Sequence, residues 1–137
     1  MSWVCRYIGL PYRDHGRTRS GVDCWGLVRL IYKNELGIDL PSYAEISAED
    51  LMRAARAIDA GKDGELWRGV PASDIVPFDV AVMRHYGRRT VGHVGIVTPE
   101  RRILHVEIST DSVVVPMDHY TVRERLACFR RFNHPAG

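Results

Sequence analysis

An α+β domain with an antiparallel sheet is the fold this sequence predicts, and two observations carry the prediction. Apolar residues recur at helical spacing in the first half of the chain and at two-residue spacing in the second. Helices and strands are therefore segregated rather than alternating, which favours hairpin-linked strands over parallel crossover units. The length of 137 residues suits a single domain, residues 1–137, and a hydrophobic content of 45% is enough for a packed core without disulfide staples.

Taken in order, residues 2–10 read as a short helix closed by Pro11, and Tyr12 to Gly21 as a polar loop. Residues 23–36 form the strongest helical pattern. Trp25, Leu27, Val28, Leu30, Ile31 and Tyr32 make an apolar stripe, and Gly37 is a stop signal. A second helix is expected at about 48–60, with Ser47 and Asp50 as its cap, Leu51, Ala54, Ala55 and Ile58 on one face, and Gly61 at its end. The period then changes. Val80–Met83, entered through the turn Pro77-Phe78-Asp79, is a strand, as are Gly92–Thr98, Ile103–Ile108, Ser112–Pro116 and Leu126–Phe132. The tail from Asn133 is expected to fray.

Bulk properties narrow the function classes. A net charge of +2, from 19 basic and 17 acidic residues, argues against nucleic acid as the main partner. Cys5, Cys24 and Cys128 are odd in number and irregular in spacing, so they do not form a disulfide framework. The opening Met1-Ser2-Trp3-Val4-Cys5-Arg6 lacks the apolar stretch of a signal peptide, and no run is long enough to span a membrane. These features predict synthesis in a reducing cytoplasm and no membrane partner.

The chemistry concentrates at Cys24. It lies where the loop Ser20-Gly21-Val22-Asp23 enters a helix, and free backbone N–H groups and the helix dipole there favour a thiolate. A base is then needed. The segments around His93 and His105 are joined by Thr98-Pro99-Glu100-Arg101-Arg102, and a reversal centred near Pro99 places the two histidines opposite each other. His93, Gly95 and Val97 would share a face with Ile103, His105 and Glu107, while Val94, Ile96, Leu104 and Val106 face the core. The pattern assigns Cys24 as nucleophile, His93 as general base and His105 as the residue that orients it, with Glu107 as the alternative orienter. A zinc site of Cys24, His93 and His105 is the competing reading, although no short-spaced ligand pair supports it. Cys5 and Cys128 read as packing residues, and His15, His85, His119 and His134 as solvated side chains.

With those residues in place, the chain resembles the NlpC/P60 family of cell-wall cysteine peptidases. Gly9-Leu10-Pro11-Tyr12 resembles the family's Gly-x-Pro-Tyr segment, and Asp23-Cys24-Trp25-Gly26 its Asp-Cys-Ser-Gly motif. Pro77-Phe78-Asp79-Val80 resembles its Pro-Gly-Asp-Leu strand entry, and Gly92-His93-Val94-Gly95 with the later His105 repeats its Cys…His…His order. The resemblance implies a papain-like core with the Cys-bearing helix on an antiparallel sheet. It implies hydrolysis of peptidoglycan stem peptides, typically between D-glutamate and a diamino acid, with no cofactor and no metal.

It also implies that Tyr12, and the backbone N–H of Cys24, shape the oxyanion and substrate site, flanked by Asp23 and Trp25. Trp25 stands where the family commonly has Ser, and Phe78 where it has Gly, the latter expected to be harmless. Asp23-Cys24-Trp25-Gly26-Leu27-Val28 followed by Gly37-Ile38-Asp39-Leu40-Pro41 is similar to a subgroup encoded in phage and gene-transfer-agent tails, which implies tail-tip proteins as partners and action at the cell wall. Two alternatives stand beside this: a structural tail-assembly protein with little activity, and an amidase or acyltransferase using the same triad.

Overall fold

A computed structural model describes residues 2–40, 67–89 and 91–132. The helix expected at 48–60 and the tail from Asn133 lie outside the described residues. Within them, the helix-first, strands-later order holds. A tight 3-10 turn, Trp3–Tyr7, replaces the expected helix at 2–10; Ser2 caps it, and Ile8 turns extended before Pro11 is reached. A small ladder, β1 (Arg17–Thr18) against β2 (Gly21–Val22), then feeds α1 (Cys24–Ile31), which continues into a wider π-type turn, Tyr32–Leu36. Gly37 ends it with φ 68, a left-handed conformation that glycine adopts without a Cβ penalty.

Six strands follow: β3 (Trp67–Val70), β4 (Val80–Arg84), β5 (Val91–Val97), β6 (Arg102–His105), β7 (Val113–Pro116) and β8 (Leu126–Phe132). Their order in the sheet is β3-β8-β4-β5-β6-β7, with every neighbouring pair antiparallel. β3 was not anticipated, because its four residues include Arg68 and Gly69 and show no alternation. β6 is shorter than expected and stops at His105; Glu107 instead accepts a turn hydrogen bond from Thr110.

Both faces of the sheet are covered. Val80, Val82, Val94, Ile96, Leu104 and Val106 pack with α1 residues Trp25, Leu27, Val28 and Ile31 in the main core. Burying each such aliphatic side chain contributes about 1.5–3 kcal/mol, which holds the helix flat on the strands. On the opposite face Ala81, Met83, Val97, Ile103, Val122 and Phe129 form a second cluster. The entry to β4 is pinned by buried Asp79, which accepts from Arg131 at 2.8 and 2.9 Å and from the Val76 amide at 2.9 Å. At the other end, Ser112 Oγ accepts from the Leu10 amide at 2.8 Å and ties the N-terminal segment to the sheet.

Phe78 takes the backbone conformation of the glycine it replaces and offsets the strain with its own contacts. Its φ is 76, in the region that favours glycine. The strained residue is held by stacking on Trp3, with ring centroids 4.6 Å apart, and by Tyr32, whose hydroxyl donates to the Phe78 carbonyl at 2.5 Å.

The hairpin register also differs from expectation. The β5–β6 ladder pairs Val97 with Ile103 and Ile96 with Leu104, so the reversal centres on Glu100 rather than Pro99. The cause is a three-residue loop in which the Arg101 amide donates to the Thr98 carbonyl and Arg101 takes φ 61, the left-handed position of such loops. The slip is two residues, so side-chain parity is kept. His93 and His105 remain on one face as diagonal neighbours instead of direct partners.

Candidate active site

Asp23 sets the position of Cys24. Its Oδ1 accepts from the Gly26 amide at 2.7 Å, capping α1, and from Arg17 Nη1 at 2.7 Å. Cys24 is therefore the first residue of the helix. Gly26 has to be glycine, because a Cβ there would collide with the Gly16 carbonyl oxygen and come within 3.0 Å of Asp23 Oδ1. The Asp-Cys-x-Gly spacing thus has a local mechanical reason: a capping carboxylate, then the thiol, then a residue small enough to let the preceding loop close over the first turn.

The candidate base, His93, comes from the sheet. His93 Nε2 lies 2.8 Å from His105 Nδ1, and the rings meet edge to face with centroids 5.0 Å apart. Gly95 provides the room, since a Cβ there would sit 3.1 Å from His105 Cβ and 2.8 Å from Ile103 Cγ2. Glu107 Oε1 is 3.7 Å from His93 Nε2, beyond hydrogen-bond reach. Its oxygens are occupied elsewhere: Arg125 Nη1 donates to Oε1 at 2.7 Å, and the Tyr86 hydroxyl donates to Oε2 at 3.0 Å. Between the two candidate orienters, only His105 touches the base.

Cys24, His93 and Tyr12 line one cavity of about 390 Å³, together with His85, Tyr86, Glu107 and Arg125. Tyr12 is fixed there by a bridge to Val22, two residues before Cys24, and its buried hydroxyl has no hydrogen-bond partner among the described residues. A buried donor left open beside a nucleophile can receive charge from a bound substrate. The cavity wall also contains residues that sequence reading passed over. His85, expected to be solvated, folds over Gly92, where a Cβ would strike its ring. Arg125, only 8% exposed, stacks on Tyr86 at 3.9 Å from the ring centroid. Arg125 is one of many arginines in the chain, and nothing in its sequence context sets it apart.

Three other expectations change. Trp25 does not line the cavity. It is 1% exposed and packs edge-on against Trp67 at 6.3 Å in the main core. At the next position of the helix the stripe turns inward, so the residue after the thiol points away from substrate space. Asp23 is likewise absent from the lining, its Oδ1 engaged as cap and ion-pair partner and its Oδ2 buried without a partner. Cys5, expected to pack, is exposed, whereas Cys128 is half-buried against the main core.

The electrostatics around Cys24 run against the expected thiolate. Burial pushes the Cys24 thiol up to about 12, and the Asp23 carboxylate adds to this; backbone hydrogen bonds of Val94 and Trp25 and the Arg17 charge pull the other way. Burial also holds His93 well below its ordinary 6.5, with His105 and Arg125 contributing, and brings His105 down to about 4. The cap that places the thiol thus also opposes its ionisation. Both shifts favour a neutral Cys24 thiol and a neutral His93 imidazole in the cavity that the two residues line. A neutral His93 that donates Nε2–H to His105 keeps an unprotonated Nδ1, the nitrogen left to take a proton. The arrangement suits general-base catalysis at the moment of attack rather than a preformed ion pair.

The NlpC/P60 family model matches residues 9–131. The chain is 26% identical over 130 residues to the Gamma-DL-glutamyl hydrolase of Bacillus subtilis (strain 168), covering 94% of this chain and 28% of that protein. It is 23% identical over 131 residues to the Murein DD-endopeptidase MepS/Murein LD-carboxypeptidase of Escherichia coli (strain K12), covering 96% and 60%. The chain therefore spans less than two thirds of either relative's length. Among solved structures, the NlpC/p60 domain of the peptidoglycan hydrolase SagA superposes with a TM-score of 0.61 at 20% identity, covering 93% of this chain and 90% of that one. An NlpC/P60 family protein from Bacillus cereus ATCC 10987 gives 0.69 at 21% identity, covering 94% and 37%.

Proposed function

The chain belongs to the NlpC/P60 family, and from that premise we propose that it is a cysteine peptidase that hydrolyses stem-peptide bonds of bacterial peptidoglycan. The observation that carries the reading is the His93–His105 contact at 2.8 Å in a wall of the cavity that also holds Cys24. In this reaction His93 Nδ1 takes the thiol proton as sulfur attacks the scissile carbonyl. The Tyr12 hydroxyl and the Cys24 backbone N–H support the developing oxyanion, and His93 returns the proton to the leaving amine. Water then attacks the acyl-enzyme by the same route in reverse. His105 accepts from His93 Nε2–H throughout and stabilises the imidazolium. The name of one curated relative, a gamma-DL-glutamyl hydrolase, supports a glutamyl bond, whereas that of the other, a murein DD-endopeptidase/LD-carboxypeptidase, names different bonds. The D-glutamyl–diamino acid bond is proposed on the motif resemblance of Asp23–Gly26 and Gly92–Gly95.

Digestion of purified peptidoglycan from several wall types, with fragments identified by mass spectrometry, tests this. The expected result is release of stem-peptide fragments by the wild type and none by Cys24→Ala. A folded wild-type protein with no turnover on any wall type would favour a structural role, and release of a different bond class would favour the amidase or acyltransferase reading.

A setting in a phage-like or gene-transfer-agent tail is part of the same proposal. It is supported by the sequence run Asp23–Val28 with Gly37–Pro41. Co-purification of the chain with tail particles, and its detection at the tail tip by immunogold labelling, are the expected observations; a chain found only free of particles would remove this part.

A further inference from the structure

We propose that His93, His105 and Glu107 form a binding site for a zinc-class divalent transition-metal ion, and that occupancy of this site disables the base. The binding itself stands independently of the proposed function; only its effect on catalysis rests on that reading.

Among the described residues, these three form a group whose ligand atoms all lie within 4.8 Å of one another. His93 Nε2 and His105 Nδ1 are 2.8 Å apart, and His93 Nε2 and Glu107 Oε1 are 3.7 Å apart. Zinc bound tetrahedrally at about 2.0–2.1 Å from nitrogen needs neighbouring donors roughly 3.3 Å apart. Two of the three separations bracket that value and the third, between His105 and Glu107, lies within 4.8 Å, so the two rings and the carboxylate reach a common ion by turning their side chains toward it. Two imidazoles and one carboxylate are a borderline donor set suited to zinc, and the cavity leaves a fourth position for water. Cys24 is not in the group, so the donors differ from the Cys24, His93 and His105 set that sequence alone suggested. Arg125 opposes the ion, since its Nη1 sits 2.7 Å from the same Glu107 oxygen, and limits the affinity.

The proton balance gives the consequence. A metal takes the lone pairs of His93 Nε2 and His105 Nδ1. The proton that bridged those two atoms must leave, and it moves to His93 Nδ1, while His105 keeps its proton on Nε2. The number of bound protons is unchanged, but Nδ1 is the nitrogen that must be empty to accept from the thiol. The metal therefore freezes His93 in the wrong tautomer without touching sulfur.

Titration of chelator-treated protein with cobalt(II), followed by visible absorption, and with zinc by calorimetry tests the site. One ion per chain is expected, with binding at least about tenfold weaker in Glu107→Gln and His105→Ala and unchanged in Cys24→Ala. Circular dichroism of each variant checks folding. Absence of saturable binding overturns the site. So does a thiolate-to-cobalt charge-transfer band, or binding lost in Cys24→Ala but kept in Glu107→Gln. The disabling effect is read without wall substrate: zinc should slow iodoacetamide alkylation of Cys24 at least tenfold in the wild type. An unchanged rate in zinc-bound protein overturns that half. Binding that behaves as expected in a protein inert on every wall fragment would instead sink the peptidase reading and leave the site standing.

Discussion

His93 and His105 meet through Nε2 and Nδ1 at 2.8 Å, with both rings shielded from bulk water. That contact decides which nitrogen of His93 is free, and so which direction the thiol proton can travel. It also separates the roles of the residues around the base.

His93→Ala should lower kcat/KM on stem peptides by at least about 100-fold, the usual worth of a general base. His105→Asn should retain more activity than His105→Ala, because the position needs an acceptor for the ring N–H rather than a titrating group. Glu107→Ala should cost less than His105→Ala, since Glu107 stands 3.7 Å from the base. The reverse order in steady-state kinetics would move the orienting role to Glu107.

The neutral resting pair predicts the pH profile of Cys24 alkylation. The rate should climb continuously from about pH 5 upward, whereas a thiolate–imidazolium pair would give a plateau on the acid side. Asp23→Asn keeps the cap acceptor but removes the charge that raises the thiol, so it should alkylate faster at each pH. It should also be less stable, because the ion pair of Arg17 with Asp23 is reduced to a hydrogen bond to a neutral amide. Peptide-resolved mass spectrometry distinguishes Cys24 from exposed Cys5; a plateau in the wild type would restore the ion pair.

Phe78 predicts an inverted substitution order. Ordinarily Gly is less stable than Ala by about 0.5–1 kcal/mol. At φ 76, Ala keeps the strain and loses the Trp3 stack, while Gly loses the stack but relieves about 1 kcal/mol or more of strain. Phe78→Gly should therefore unfold at higher denaturant than Phe78→Ala, with both below the wild type. Ala above Gly would mean that the turn is not left-handed in solution.

Trp25→Ser should reduce stability by about 3–5 kcal/mol, as expected for deleting a buried aromatic side chain. Stem-peptide preference should be unchanged in the fraction that remains folded. A changed preference at undiminished stability would put the indole back in the substrate site.

Stability should fall on the acid side in metal-free protein. His105 is held at about 4 against an ordinary 6.5, so it stays neutral in the fold while the unfolded chain takes up a proton. Its contribution is complete above pH 6.5, shrinks as pH drops through the window, and is gone below about 4. At about 1.4 kcal/mol per pH unit this is worth roughly 3 kcal/mol, with His93 acting in the same direction. Denaturant midpoints of wild type and His105→Asn should converge toward pH 4; parallel curves would show that the ring is not desolvated.

The helix at Cys24, five later strands and the Cys…His…His order were legible because each is written in local spacing: the apolar stripe from Trp25 to Tyr32, and the alternation through Val94 and Ile96. What was not legible depends on residues that meet only after folding. The register turned on one backbone angle at Arg101. Trp25 faced the core because Trp67 lies there, on a strand too short and polar to announce itself. The thiol's proton affinity is set by complete enclosure and by the very carboxylate that caps its helix. The cavity wall at Arg125 and Tyr86 comes from two loops distant in sequence that stack face to face.

β8 lies between β3 and β4, although it is the last of the strands to be synthesised. While the chain is emerging from a ribosome, β4 and β3 each present an edge that only residues 126–132 can close, and the strip through Ala81 and Phe129 cannot assemble. The residues that make the thiol and its base are all translated earlier, so the sheet that must hold them in register is completed last. A nascent chain halted before β8 would expose an unpaired strand edge, the condition under which chains pair with one another rather than with themselves. For this architecture, the sheet behind the cavity of Cys24 and His93 is closed by a strand, residues 126–132, that lines none of that cavity.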